Sequence, residues 1–194
     1  MKKKYTKKQK DILKAARELF WKHGVSRVTM EEISQAAEVS KMTLYKYYAN
    51  KPELALAVLK SEVEKSMDRF SDIMDSNLSF EEKIQQMLIL KIEGTKDISR
   101  EFIADIYQNP RLGLHHYIEE QSKHSIDLFM SFLKDAQNQG FIRKDIKIPF
   151  MLNYINQMIQ MVSDEQLLSH YDDPQDLIME AMNFMFYGLL PRSK

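Results

Sequence analysis

The chain has no cysteine, which excludes disulfides and thiolate metal sites and suits a reducing cytoplasm. Glycine and proline are scarce, five of each in 194 residues, and no stretch of useful length shows the alternation of a half-buried strand. Internal repeats and low-complexity linkers are absent. Long apolar runs are missing too. The longest charge-free run lies between Lys147 and Asp164 and includes Asn153, Asn156, Gln157 and Gln160, whereas a membrane span needs about 18 or more predominantly apolar residues. It reads as a buried helix, and no membrane partner is expected. The basic start MKKKYTKKQK has no signal-length apolar stretch behind it, so secretion is not expected either. No nucleophile elbow, glycine-rich phosphate loop or HExxH occurs, which leaves catalysis without a visible seat and calls for no cofactor.

What is present is 44% hydrophobic residues, rich in Leu, Ile and Met and mixed with Lys and Glu, enough for an all-α protein with a substantial core. Net charge is zero, yet the average hides a division. Residues 1–51 carry 13 Lys and Arg against 5 Asp and Glu, a balance of +8, so the remainder of a chain with 28 of each carries 15 against 23, or −8. A cationic head on an anionic body suggests that only the head meets a polyanion.

Within that head, Ile12, Ala16, Leu19 and Phe20 recur at helical spacing from Thr6 to about His23, and Gly24 supplies a stop. Thr29 and Glu32 fit a capping box ahead of a helix over Met30–Ala37. Ser40 caps a third helix from Lys41 to about Tyr47, and Asn50, Pro52 and Glu53 start a long fourth one near Lys51. Two short helices joined by a tight turn, with a longer helix behind, make a helix-turn-helix. The third helix, at about 1.5 Å per residue, is roughly 10 Å long and suits end-on entry into a major groove about 12 Å wide. Leu44 and Tyr48 fall four apart and face the core, leaving Lys41, Met42, Thr43, Tyr45, Lys46 and Tyr47 on the remaining surface. Lysine donates to guanine or phosphate, threonine offers a hydroxyl and a methyl, and tyrosine a ring with an OH. Thr29, Ser40 and Lys51 sit at helix starts, where backbone N–H groups favour phosphate. Taken singly, the same hydroxyls are caps and the lysines solubilise a surface.

The stretch ILKAARELFWKHGVSRVTMEEISQAAEVSKMTLYKYYANKPEL resembles the N-terminal signature of tetracycline-repressor (TetR) family transcriptional regulators, through an I..AA..LF...G first helix, then T...I...A.VS and TLY.YY.NK..L. This covers about a quarter of the chain. The resemblance implies a dimer whose third helices enter successive major grooves of a double-stranded DNA operator. It implies phosphate contacts for Thr29, Tyr47 and Lys51, positions at or near base edges for Lys41, Met42, Thr43 and Tyr45, and either role for Lys46. Tyr48 stands where the family often has phenylalanine. The N-terminal MKKK is either a basic arm along the duplex or a solubilising tail.

Farther on, Ser79 with Glu82, then SREFIADIY, then a long helix from Pro110 to Gly140, then Pro149 to about His170 and Pro174 to about Tyr187, closed by Gly188 and Pro191, complete about nine helices. The expected organisation is a three-helix head, residues 1–51, continuous with a helical bundle, residues 52–194. Ile148–Val162 and the final helix are apolar on more than one face, so a homodimer through the last two helices is expected. Methionines and aromatics of the body suit a small apolar effector, with no pocket residue assignable. His116, Glu120 and His124 share a helix face but are too spread to hold one ion well, so no metal is expected. The sequence thus points to a cytoplasmic, dimeric, ligand-released repressor. A helical-bundle enzyme, or a constitutive DNA-binding or scaffold protein without an effector, is the alternative.

Overall fold

The structure, a computed structural model, describes residues 5–189; the basic Lys2, Lys3 and Lys4 and the expected closing Pro191 lie outside them. The protein is all-α, with ten α-helices and a single 3-10 turn among the described residues and no strand. In order these are α1 (Lys7–His23), α2 (Met30–Ala36), α3 (Lys41–Tyr47), α4 (Lys51–Asp75), α5 (Phe80–Thr95), α6 (Arg100–Tyr107), a 3-10 turn (Pro110–Leu112), α7 (Leu114–Gln139), α8 (Ile148–Met161), α9 (Glu165–Leu168) and α10 (Pro174–Leu189).

Local chemistry sets most of these boundaries. Thr6 with Gln9, Thr29 with Glu32 and Ser79 with Glu82 form reciprocal capping boxes, each pair satisfying two backbone donors that a helix start leaves unpaired. Ser40 and Ser99 cap α3 and α6 through single bonds to the backbone N–H groups of Thr43 and Phe102. Asn50 accepts from Glu53 N at 2.9 Å, and Glu53 in turn accepts from Ala49 N at 2.9 Å, which fixes the start of α4. Two expectations are corrected. The segment from Pro149 to His170 is not one helix, because Asp164 accepts from Leu167 N and nucleates the separate turn α9. Gly188 does not close the last helix, which continues through it to Leu189.

The described chain packs as two compact units. One holds the residues up to Glu64 together with Asp97–Ile118, so α6 joins the head helices. Its core gathers Ile12, Ala16, Phe20, Ile33, Leu44, Leu54 and Val58 with Phe102 and Leu114. Trp21 meets Phe102 at 4.1 Å between ring centroids. Each such large apolar side chain contributes about 1.5–3 kcal/mol on leaving water. The other unit, Lys65–Lys96 and Glu119 onward, centres on Phe80, Leu133, Ile142, Met151, Ile155, Met185 and Phe186. Phe80 stacks on Phe132 at 5.6 Å and on Phe141 at 5.2 Å. No described helix is long and apolar enough to cross a membrane.

Candidate nucleic-acid interface

Helix α3 turns one stripe inward and gives the rest to solvent. Leu44 is fully buried and Tyr48, its cap residue, nearly so, which leaves Lys41, Met42, Tyr45 and Lys46 exposed and Thr43 and Tyr47 half-buried. Met42 is 81% exposed, so its thioether makes almost no packing within the chain. The short helix is therefore held by its caps and by Leu44, which sits in one core cluster with residues of α1 and α4.

Hydrogen bonds fix the side chains around this surface. Ser40 accepts from Thr43 N at 3.1 Å, and the two hydroxyls lie 2.9 Å apart. Thr29 donates its hydroxyl to Glu32 at 2.8 Å and its backbone N–H to the same carboxylate oxygen at 2.7 Å. Those bonds from Thr29 hold the Glu32 carboxyl below the usual carboxylate range. Lys41 pairs with Glu31 at 2.9 Å, both side chains more than half exposed. An exposed pair of this kind is worth only about 0–1 kcal/mol, so exchanging Glu31 for a phosphate costs Lys41 little.

Lys51 is placed differently from the outward lysines. Its ammonium donates to the carbonyls of Ser26 and Val28, both at 2.8 Å, tying the first residue of α4 to the segment that precedes α2. Burial pushes its pKa down from the ordinary lysine value, against a smaller upward pull from Asp105 and Glu32. Two of its three donors are committed to this tie, which leaves one free for a phosphate.

A second tie was not apparent in the sequence. Asp105, 7% exposed on α6, accepts from Ser26 N at 2.8 Å and from the Ser26 hydroxyl, and Asn109 donates to Asp105 at 3.3 Å and to Ser26 at 3.0 Å. Close by, Ser99 N donates to Trp21 O at 2.8 Å, and Arg27 pairs with Glu101 at 3.0 Å. Gly24 lies at φ +79°, and a Cβ there would come within 2.9 Å of both Asp105 Oδ2 and Glu101 Cβ. The turn between α1 and α2, which leads into Thr29, is thus clamped onto α6. A signal existed: in REFIADIY the acid falls on the same face as Phe102 and Ile106, where an unpaired charge is not tolerated.

Tyr48 shows the opposite situation. Its hydroxyl is buried without a hydrogen-bond partner among the described residues, and burial pushes its pKa up to about 12. An unsatisfied buried hydroxyl costs about 1–3 kcal/mol. Tyr48→Phe is therefore expected to raise the denaturant midpoint, or leave it unchanged, with DNA binding intact; a clear loss of stability would show a partner for that hydroxyl.

Among the described residues no group of three or more His, Asp or Glu side chains gathers as a metal site. The nine candidate residues of the head share one unit, seven of them on α3 or its cap, with Thr29 and Lys51 at the starts of α2 and α4.

A basic, outward-facing second helix of a helix-turn-helix defines a DNA-binding protein of the kind that presents a short helix to the major groove. Residues 12–58 match the family model for bacterial regulatory proteins of the tetR family. The chain is 23% identical over 150 residues to the transcriptional repressor KstR2 of Mycobacterium tuberculosis, covering 75% of this chain and 74% of that one. It is 26% identical over 165 residues to the uncharacterized regulator YvaF of Bacillus subtilis, covering 83% and 85%. The structure of the fatty acid degradation regulator FadR from Bacillus halodurans superposes with a TM-score of 0.69 at 20% identity, over 98% of this chain and all of that one. Over residues 12–58 the chain is thus similar to the tetR-family regulators, and it is a DNA-binding transcriptional regulator.

Proposed function

We propose that this regulator is a cytoplasmic homodimeric repressor that binds a near-palindromic operator and is released by a small apolar effector. The observation that carries the DNA half is the division of α3, whose Leu44 is in the core while Lys41, Met42, Tyr45 and Lys46 face outward with, among the described residues, one weak ion pair from Lys41. In this reading Met42, Thr43 and Tyr45 meet base edges, with Lys41 beside them. Tyr47 and the capped starts at Thr29 and Ser40 meet phosphates, and Lys46 serves either. Lys51 acts chiefly by holding the approach to Thr29, with one donor left for a phosphate.

The dimer half rests on aromatics that nothing among the described residues covers. Phe150 on α8 is 63% exposed, and Phe184 and Tyr187 on α10 are 70% and 77% exposed. Phe150, Tyr154 and Phe184 form a ladder with successive centroids 6.3 Å apart. Contiguous apolar surface of this sort is what a second copy covers, and a self-complementary contact through α8 and α10 gives the twofold symmetry that a palindrome mirrors. Half-site centres are then roughly 34–36 Å apart, or a multiple of that spacing. The apolar effector is supported by the methionines and phenylalanines that line the second unit, and by relatives named for fatty acid degradation and for ketosteroids. Such a ligand must prefer the state that cannot bind DNA; a nearly complete switch needs about 10⁴-fold preference, ~5.5 kcal/mol.

The test is a pair of substitution classes on one selected duplex. Tyr47→Phe is expected to weaken all sequences alike; Thr43→Val and Tyr45→Ala should alter which sequence is preferred, by about 1–3 kcal/mol per affected base pair, and Lys46→Ala tells its role by which of the two patterns it follows. Uniform effects from Tyr47→Phe, Thr43→Val and Tyr45→Ala would contradict the assignment. Binding that no apolar compound reverses would favour a constitutive DNA-binding protein instead.

A further inference from the structure

The outward surface of α3 carries one side chain with redox chemistry of its own. Met42, at 81%, is the most exposed large hydrophobic side chain among the described residues. Of the twelve described methionines it alone stands open: Met87, Met151, Met158 and Met185 are buried, and the other seven are mostly covered. The chain has no cysteine, so no thiol competes with this thioether for a mild two-electron oxidant. Trp21, the single tryptophan, is 6% exposed and packed against Phe102. Access decides which methionine an oxidant reaches, and the fold gives that access to Met42.

Position decides what the oxidation does. Met42 is the second residue of α3, and Tyr45 and Lys46, three and four residues on, are exposed beside it on the helix. The bond from Thr43 N to Ser40 and the burial of Leu44 hold the turn beneath it, so the thioether is presented from a fixed backbone. At a base edge a flexible apolar side chain suits the thymine methyl. A sulfoxide puts a strongly polar S=O group in place of that apolar sulfur, and the group loses its water on docking without gaining a donor from a methyl. The core, to which Met42 contributes almost nothing, is untouched.

We propose that Met42 is an oxidation site that weakens operator binding: a hydroperoxide converts it to methionine sulfoxide, and the oxidised head fits its operator less well. The sulfur lone pair attacks one peroxide oxygen, and the S–O bond forms as the O–O bond breaks. The proton on the transferred oxygen passes to the leaving hydroxide, giving water; sulfur is oxidised by two electrons and the peroxide reduced by two. Sulfoxide reductases, drawing on a dithiol, return the thioether and release the oxygen as water. This rests on the DNA-reading assignment of α3 and gives that site a regulation.

The test treats the full chain with hydrogen peroxide and follows each methionine by peptide mass spectrometry. Binding is read by fluorescence anisotropy on a duplex selected with the untreated chain. Met42 is expected to oxidise about tenfold faster than Met87, Met151, Met158 or Met185, and affinity to fall about tenfold in step with it while helix content and melting temperature hold. Bound duplex should slow the oxidation of Met42, and the reductase pair for the two sulfoxide epimers, with dithiothreitol, should restore affinity. Met42→Leu, measured against its own untreated affinity, is expected to lose less than about twofold.

The proposal is overturned by a Met42 no faster than the buried methionines, by an affinity its oxidation leaves unchanged, or by oxidation that bound DNA does not slow. A loss that persists after reduction, or that is equal in Met42→Leu, also overturns it. Where Met42→Leu binds too weakly to read, reduction of the oxidised wild type decides. Duplex retained by the untreated chain and unaffected by peroxide sinks only this inference, whereas no duplex retained sinks the regulator reading and this inference with it.

Discussion

Phe184→Glu is expected to give a folded chain that sediments as a monomer and binds its operator about 10²–10⁴-fold more weakly. The side chain is 70% exposed, so the chain's own core loses almost nothing when it changes. In a twofold contact the substitution acts twice, burying two carboxylates without partners where two rings had met. The ladder Phe150, Tyr154, Phe184 loses an end, and with it the apolar centre of the proposed contact between two copies. DNA affinity falls because two linked heads benefit from the high effective concentration of the second once the first is bound, and a monomer has no second. Sedimentation velocity and fluorescence anisotropy on one preparation separate the two effects. A Phe184→Glu chain that stays dimeric would place the interface elsewhere.

Asp105→Ala is expected to cost about 3 kcal/mol in chemical denaturation and to weaken operator binding, although Asp105 is on α6, outside the helix-turn-helix itself. Its carboxylate satisfies Ser26 N and the Ser26 hydroxyl, and receives Asn109, all within one compact unit. Removing it leaves the part-buried Ser26 N–H without its acceptor and frees the turn that leads into Thr29. Gly24→Ala probes the same clamp from the other side, since its Cβ would meet Asp105 and Glu101 at 2.9 Å and its backbone lies at φ +79°. Both substitutions should loosen the start of α2, seen as faster amide exchange over Val28–Ile33. Unchanged stability and exchange in Asp105→Ala would mean that the clamp is incidental to the head.

These two sites differ in how far the sequence announced them. The helix starts were legible because capping is local: Thr29 with Glu32, Ser40, and Ser79 with Glu82 are each recognisable three residues apart, and the structure places a helix start at each. The inward phase of Leu44 and Tyr48 followed from their four-residue spacing. What was not legible depends on partners distant in the chain. Lys51 looked like any lysine at a helix start, and only the fold brings the carbonyls of Ser26 and Val28 to its ammonium. Asp105 and Ser26 are 79 residues apart, and nothing local shows that α6 packs with the head. The break before α9 was missed because Asp164 is a good cap inside a segment whose apolar content suggests continuity.

The central claim is that the outward surface of α3 recognises duplex DNA by sequence. It is tested most directly by selecting bound fragments from random double-stranded DNA with the purified full chain at low ionic strength and sequencing what is retained. The account predicts enrichment of one near-palindromic sequence, with Tyr45→Ala enriching a different or more relaxed one. Retention with no sequence enrichment, or no retention of any duplex, would contradict it.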